Sequence, residues 1–428
     1  MHALVERNKF DEVRITRLAN GLTVATDLMP GIETASLGVW VGVGTRHEPH
    51  EINGVAHLLE HMAFKGTRRR SARDISVEIE SVGGHLNAYT SRENTAYYAR
   101  VLADDVPLAV DILADILQHS TFDEGELDRE RAVVLQEIGQ AEDTPDDVVF
   151  DYFQATAYPA QALGRPVLGT AEIVGGLSRE AIRGYMRRHY TGDQLFLVAA
   201  GKVDHDRLVA LAQTAFTELP AATLAPAEPA HYVGGDFRQE RDLEQTHIVF
   251  GLPGVGYKDP DYYASTVYST LLGGGMSSRL FQEIREKRGL VYSIYSFASS
   301  YVDGGLLGIY AGTGAAEVAE LVPIVCAEVA KVGDEVEVEE VRRARAQLKA
   351  GILMARESPS SRCEQLAQQL LVYGRAMSMD EVIARVDGVD IEQVARVAKR
   401  VLAGPLTLTA LGPVDHLEPY AAIAARLR

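Results

Sequence analysis

The residues best suited to chemistry are two histidines and a glutamate in one short stretch, His57, Glu60 and His61, which form a His-x-x-Glu-His pattern. Each helical residue advances about 100°, so on a helix these three side chains share one face. Two imidazoles one turn apart can bind a tetrahedral metal ion, and a neighbouring carboxylate can act on water. Two ordinary, partly buried histidines are the alternative. The apolar residues around the pattern favour a metal, because a buried Glu–His pair needs a charge partner.

Composition limits the classes of function. The chain has 428 residues, of which 46% are hydrophobic and 24% charged, as expected for a globular protein with two or more domains. The formal net charge of −18 argues against nucleic acid and against an anionic membrane as partners. Cys326 and Cys363 are too few for a disulfide framework, and we expect both to be buried. With no apolar run of signal-peptide or membrane-span length, we expect a cytoplasmic enzyme.

Hydrophobic periodicity predicts the elements that position the motif. Gly54 and Gly66 bound a helix that carries His57 to His61. Further elements are predicted along the first half: a hairpin over 14–28 with its turn at Asn20-Gly21, a buried strand over 34–44, a helix over 71–82, two strands over 85–101, helices over 104–119 and 123–141, a strand over 194–201 and a helix near 204–217.

A proline-rich stretch over 219–235 has no periodicity and predicts a linker between an N-terminal half, 1–218, and a C-terminal half, 236–428. Residues 244–260 resemble 33–49, which indicates an internal duplication with an offset of about 211 residues. That offset places Tyr268, Leu271 and Leu272 at the positions of the motif residues. The second half is therefore predicted to lack the metal motif.

Several motifs in order now identify a resemblance. They are His57-Leu-Leu-Glu60-His61-Met-Ala-Phe64-Lys-Gly-Thr, Gly83-Gly-His-Leu-Asn87-Ala-Tyr89-Thr-Ser-Arg-Glu-Asn-Thr-Ala-Tyr-Tyr and Glu130-Arg-Ala-Val-Val-Leu-Gln-Glu137-Ile. With them the chain resembles the inverzincin peptidases related to mitochondrial processing peptidase, pitrilysin and insulin-degrading enzyme. The resemblance implies an α+β fold. Its two homologous α/β-sandwich halves, each an antiparallel sheet with helices packed on it, would be related by duplication and form a clamshell.

The resemblance also implies the rest of the site. The family takes its third zinc ligand about 76 residues past the second histidine, which selects Glu137. Without this spacing, Glu137 would be interpreted as a solvated carboxylate on a helix. Glu130 matches a family carboxylate that supports the site. Arg285 and Tyr292 match a family pair seven residues apart, although local pattern alone predicts only a helix that ends near Gly289.

These residues imply zinc-dependent peptide hydrolysis with one zinc ion per chain. Glu60 would act as general base, Tyr292 would stabilise the oxyanion and Arg285 would orient the substrate. An extended peptide would pair with the strand over 86–90, where Asn87 and Ala88 would contact its backbone. Phe64 and Tyr89 would line a hydrophobic pocket, or else belong to the core.

The expected substrates are short or unfolded peptides enclosed in a chamber between the halves or within a dimer. Because one chain carries both the metal motif and the Arg/Tyr pair, we expect a homodimer, with a heterodimer of related chains as the alternative. The alternative function is that of a non-catalytic assembly or chaperone-like subunit. Family members with such a role usually lack a metal ligand or the general base. A purely structural metal site is less favoured, because structural zinc usually has four protein ligands.

Overall fold

The computed structural model describes residues 13–221 and 227–427. The chain divides into two compact units that do not follow one cut along the sequence. The first contains the described residues of 1–138, Pro166–Glu228 and Leu353–Met379, and the second contains Gly139–Arg165, Pro229–Ile352 and the described residues of 380–428.

Strands and helices are numbered in chain order. The strands are β1 (Val13–Arg17), β2 (Thr23–Leu28), β3 (Thr34–Val41), β4 (His85–Thr90), β5 (Thr95–Leu102), β6 (Leu195–Gly201), β7 (Gly235–Glu240), β8 (Thr246–Gly254), β9 (Val291–Ser300), β10 (Gly305–Thr313) and β11 (Thr407–Gly412). The helices are α1 (Val55–Ala63), α2 (Ala72–Ser81), α3 (Val106–His119), α4 (Glu124–Glu142), α5 (Pro145–Ala157), α6 (Ala171–Gly176), α7 (Arg179–His189), α8 (His205–Ala215), α9 (Tyr262–Gly273), α10 (Val318–Glu335), α11 (Val338–Ala355), α12 (Pro359–Tyr373), α13 (Met379–Asp387), α14 (Ile391–Leu402) and α15 (Tyr420–Arg426).

The first unit contains a six-stranded sheet in the order β1-β2-β6-β3-β5-β4. Its neighbouring strands are antiparallel except for the parallel pair β2 and β6. The hairpin predicted over 14–28 is confirmed: Val13 lies opposite Asp27, and Gly21 has a φ of +95° in the turn. Strand β4, which carries the residues expected to bind the peptide, lies at one edge of this sheet.

The second unit repeats this topology, which confirms the predicted duplication. Its sheet has the order β7-β11-β8-β10-β9, again with one parallel pair, β7 and β11. Strand for strand it matches β2-β6-β3-β5-β4, and β1 is an addition at the edge of the first sheet. The predicted class of two α/β halves, each a sheet covered by helices, is confirmed.

Each sheet has helices on both faces. In the first unit α1, α3 and α8 lie over one core cluster, and α12 packs on β2, β3 and β6 from the opposite face. In the second unit α9, α10 and α14 form one core cluster, and α5 packs on β7, β8 and β11. Both faces of each sheet are therefore buried, as the apolar runs in β3 and β6 require.

The helices α5 and α12 are exchanged relative to the chain order. Helix α5 comes from the first half of the chain and belongs to the second unit, while α12 comes from the second half and belongs to the first unit. Sequence analysis did not anticipate this exchange. The bounds 1–218 and 236–428 stay a prediction. Of the predicted linker, 222–226 lies outside the described residues, and the described remainder has no helix or strand before β7 begins at Gly235.

None of the described helices combines the length and the apolar character that crossing a membrane would require.

Candidate metal centre

Helix α1 carries the two histidines and the central glutamate, as predicted. Its buried face consists of Val55, Ala56, Leu58, Leu59, Met62 and Ala63. Each fully buried Leu or Met contributes about 1.5–3 kcal/mol, so this face holds the helix firmly on the core. The opposite face presents the two histidines, whose ring centroids lie 4.7 Å apart.

A buried carboxylate outside the helix satisfies the N-terminus of α1. Gly54 precedes the helix with a φ of +96° and provides no side-chain cap. Glu48 instead accepts hydrogen bonds from the Gly54 N–H at 2.9 Å and the Ala56 N–H at 2.7 Å. It also accepts one from Asn53 Nδ2 at 2.8 Å. An anion at a helix N-terminus is favoured by the helix dipole, so Glu48 fixes the start of the helix that carries His57 and His61.

Helix α4 supplies two further carboxylates from its core-facing stripe. Leu127, Val134 and Ile138 are buried on this stripe, and Glu130 and Glu137 fall between them at helical spacing. Val133, an apolar residue of the same helix, lies off this stripe and is exposed. Because a buried carboxylate needs a partner, the position of Glu130 already indicates a specific role, whereas the Glu137 side chain is 38% exposed.

The ligand atoms of His57, His61 and Glu137 converge. Glu137 Oε2 lies 3.8 Å from His57 Nε2 and 3.5 Å from His61 Nε2. Tetrahedral zinc with bonds near 2.1 Å separates its ligand atoms by about 3.4 Å. Glu137 Oε2 is buried and has no hydrogen-bond partner among the described residues. Three ligand atoms at this separation fit a zinc ion, and one of them is a buried oxygen that accepts no hydrogen bond within the described residues. In the described part of the chain no other His/Cys/Asp/Glu cluster converges in this way.

A second layer of contacts orients His61. Its Nδ1–H donates to Glu130 Oε2 at 3.0 Å, and Lys65 Nζ donates to Glu130 Oε1 at 2.7 Å. Because a carboxylate accepts only, this bond places the proton on Nδ1 and leaves the Nε2 lone pair pointing toward Glu137. Glu130 therefore supports the site through His61.

Burial sets the ionisation of the helix residues. Burial, with a smaller effect from His61, lowers the pKa of His57 to about 4, so the ring is neutral near pH 7, as a metal ligand must be. Burial raises the pKa of Glu60, while the hydrogen bond from Thr90 and the charge of His61 lower it. A carboxylate with a raised pKa beside two imidazoles suits proton transfer.

The residues predicted to bind the peptide divide between the two faces of β4. Phe64 and Ala88 pack against the core cluster that contains α1, whereas Tyr89 packs against the cluster beneath α12. The Tyr89 hydroxyl accepts a hydrogen bond from Trp40 Nε1 and donates one to Glu364. Asn87 is exposed, and its Oδ1 accepts the N–H of Ala88 at 2.8 Å. Phe64 and Tyr89 are thus not brought together.

Arg285 and Tyr292 both lie in the second unit. Arg285 belongs to a π-helical turn (Phe281–Glu286), and its guanidinium lies 5.0 Å from the centroid of the Phe281 ring. Tyr292 lies near the start of β9 with 77% of its surface exposed. The predicted helix end at Gly289, with a φ of +64°, is confirmed. A π-helical turn is rare and often marks a functional position.

Three residues that contact the centre or its helix were missed by sequence analysis. They are Glu48, Lys65 and Thr90. Each acts through a side-chain hydrogen bond to a residue distant in sequence, or to backbone N–H groups that only the folded helix presents. The sequence contains only indirect signals for these contacts. Glu48 is an acidic residue shortly before the helix, and Thr90 is two positions after Ala88 on β4, so both side chains point to the same face of the strand.

Comparisons with known proteins identify a peptidase family and its relatives. The profile described as Insulinase (Peptidase family M16) matches residues 23–171, and that described as Peptidase M16 inactive domain matches residues 176–348. An uncharacterized zinc protease of Streptomyces coelicolor is 42% identical over 94% of this chain and 90% of its own length. The mitochondrial-processing peptidase subunit beta of Rattus norvegicus is 39% identical over 97% of this chain and 88% of its own length.

A solved structure shares the fold. A chain of Complex III2 from Candida albicans, with Inz-5 bound, superposes with a TM-score of 0.85 over 97% of this chain and 99% of that chain. Because the two sequences are 22% identical, this likeness concerns the fold alone.

Proposed function

Because this chain belongs to peptidase family M16, we propose that it is a zinc-dependent endopeptidase that cleaves extended or unfolded peptides and binds one zinc ion per chain. The observation that carries the proposal is the convergence of His57, His61 and Glu137 beside the partly buried carboxylate of Glu60. Three protein ligands leave a coordination position open, as catalytic rather than structural zinc sites do.

The chain's own residues account for the proton transfers. When bound, zinc supplies Lewis acidity, which makes water more acidic and a peptide carbonyl more electrophilic. His57, His61 and Glu137 would hold it. Glu60 takes the proton from the attacking water and returns it to the nitrogen of the leaving amine. Glu130 keeps the proton of His61 on Nδ1 and so keeps Nε2 available.

The peptide is proposed to add as a strand to β4. The order of the sheet ends at β4, so its outer edge has no partner strand among the described residues. In the chain without peptide the Ala88 N–H is bonded by Asn87 Oδ1. Pairing with a substrate strand would replace that bond and let both residues contact the peptide backbone. Phe64, on the α1 side of the sheet, remains a candidate for the hydrophobic pocket; Tyr89 lies on the other side.

The remaining roles extend the same proposal. Tyr292 donates a hydrogen bond to the oxyanion of the tetrahedral intermediate, and Arg285 orients the substrate. A working homodimer, with a heterodimer of related chains as the alternative, stays a prediction. So do a cytoplasmic location and enclosure of the peptide in a chamber.

Metal reconstitution tests the proposal. Zinc is titrated into metal-free protein while cleavage of an internally quenched, unstructured peptide is followed. We expect cleavage to rise with zinc and to saturate at one ion per chain. Stoichiometric binding without cleavage would instead favour the non-catalytic assembly subunit, and co-purification would then identify its partner. Failure to bind zinc would contradict the ligand set itself.

A further inference from the structure

The hydroxyl of Thr90 contacts the carboxylate of Glu60 directly. Thr90 Oγ1 donates to Glu60 Oε2 at 2.6 Å, a short distance of the kind that charged acceptors give. The two residues are 30 positions apart, Glu60 on α1 and Thr90 at the last position of β4. The contact therefore joins the metal-binding helix to the edge of the sheet.

The backbone fixes the direction of this hydroxyl. Side chains alternate along a strand, and Leu86 and Ala88 point to the face that α1 covers. Thr90 has the same parity and points to that face as well. It lies opposite Thr95 in the register of β4 with β5, and the Thr95 hydroxyl donates to the Val43 carbonyl at 3.0 Å. A β-branched residue in a paired strand position has little rotamer freedom, so the donor is held in place.

Other hydroxyls near Glu60 are bonded to each other instead. Tyr97 and Tyr190 are buried, and their hydroxyl oxygens lie 3.0 Å apart in a mutual hydrogen bond. In the described part of the chain Thr90 is the hydrogen-bond donor to the Glu60 side chain. Among the described residues no side chain donates a hydrogen bond to Glu60 Oε1.

We propose that Thr90 is a positioning residue that holds Oε2 of Glu60, so that Oε1 faces the reacting water and both takes and returns the proton. This inference rests on the proposed function. Thr90 is also the last residue of the strand on which the peptide is proposed to pair. The residue that orients the base therefore belongs to the strand on which the peptide would pair, which links the position of the base to the position of β4.

Two substitutions separate the hydroxyl from the shape of the side chain. Thr90→Val keeps the branching and removes the donor, and Thr90→Ser keeps the donor. We expect Thr90→Val to lower kcat by about 10–100-fold, since a well-placed general base contributes about 10²–10⁴-fold. KM and zinc affinity should change by no more than about threefold, and Thr90→Ser should recover most of kcat.

Thr16→Val is the matched control. Thr16 lies on β1, at the opposite edge of the same sheet, and its hydroxyl bonds His205 Nε2 at 2.8 Å. It should leave kcat unchanged. In a Glu60→Gln background Thr90→Val should have little further effect on kcat, because both changes remove the same oriented base. Unchanged kcat in Thr90→Val, an equal loss in Thr90→Ser, or a loss confined to KM would overturn the proposal.

A crystal structure of metal-free Thr90→Val gives a readout that needs no activity. We expect the Glu60 carboxylate to rotate away from its wild-type position or to occupy two positions. An unmoved, fully occupied carboxylate would refute the positioning role. If zinc-loaded wild type cleaves no peptide, the proposed function fails, and this structural comparison still decides whether Thr90 orients Glu60.

Discussion

Replacement of Glu130 by glutamine tests how much the contacts behind the ligands contribute to metal binding. Glu130 is buried between the His61 Nδ1–H, at 3.0 Å, and Lys65 Nζ, at 2.7 Å. Glutamine is nearly isosteric, but it replaces one carboxylate oxygen by an NH₂ group. One of the two donors must then face another donor, and the partly buried Lys65 loses its counter-charge.

Two independent estimates of the free-energy cost of Glu130→Gln agree. Loss of a charge-assisted hydrogen bond costs about 1.5–3 kcal/mol. Loss of a hydrogen-bond partner of a metal-bound histidine typically weakens metal binding about 10–100-fold, which corresponds to about 1.4–2.7 kcal/mol. We therefore expect Glu130→Gln to raise the zinc Kd by about 10–100-fold.

Competition with a chromophoric chelator at neutral pH measures that Kd. Glu126→Gln is the matched control, because Glu126 lies on the same helix and forms a solvent-exposed pair with Arg129, and exposed pairs of this kind contribute little. The control should bind zinc like wild type. If Glu130→Gln also binds zinc like wild type, Glu130 does not orient His61 and the description of this layer is wrong.

Two further predictions concern the oxyanion and the protonation of the site. Tyr292→Phe should lower turnover by about 10²–10³-fold with unchanged metal content. Tyr295→Phe, on the same strand, is the control and should have little effect. Equal activity of the two variants would remove Tyr292 from the mechanism. Because burial lowers the pKa of His57 to about 4, from 6.5, its contribution to folding stability is present above pH 6.5 and is lost as the pH falls toward 4. Urea unfolding of metal-free protein should therefore show that the free energy of unfolding falls by about 2 kcal/mol more in wild type than in His57→Gln between neutral pH and about pH 5. Replacement of the exposed His85 should not alter this loss. Parallel stability curves for wild type and His57→Gln would contradict the buried, neutral ring.

Local periodicity was sufficient to predict the helices and strands of the first half up to residue 141 and again from residue 194, but it assigned bounds to none of α5, α6 and α7. The helix around His57 and the helix over 123–141 each show apolar residues at helical spacing, and both form. Glu137 was selected only through the family resemblance, although a physical signal was present. Glu137 lies two helical turns after Glu130, and Glu130 is buried beside Leu127 and Val134, where an unpartnered carboxylate would be costly.

The exchange of α5 and α12 could not be predicted from the local hydrophobic pattern of the sequence. The buried stripe of α12, which includes Cys363, Leu366 and Leu370, indicates that one face packs on something apolar. It does not indicate which of two similar sheets that face covers, because both sheets present small and aliphatic residues. The choice is made by tertiary packing, and the order of elements along the chain suggests the wrong sheet.

Strand parity explains where the structure places the residues predicted to bind the peptide. Ala88 and Tyr89 are adjacent, so they must point to opposite faces of β4. Only the Ala88 side shares a face with α1, and Tyr89 instead bonds Trp40 and Glu364. Parity alone could have separated Phe64 from Tyr89. The contact of Thr90 with Glu60 required the approach of helix and strand, which no local pattern contains.

The most direct test of the central claim compares wild type with Glu60→Gln at equal zinc loading in the peptide cleavage assay. Glu80→Gln, on the surface of α2, is the control and should cleave like wild type. We expect Glu60→Gln to bind one zinc ion per chain and to lose turnover by several orders of magnitude, since it keeps the ligands and removes the base. Cleavage by Glu60→Gln at close to the wild-type rate would contradict the assignment of Glu60 and the hydrolytic mechanism built on it.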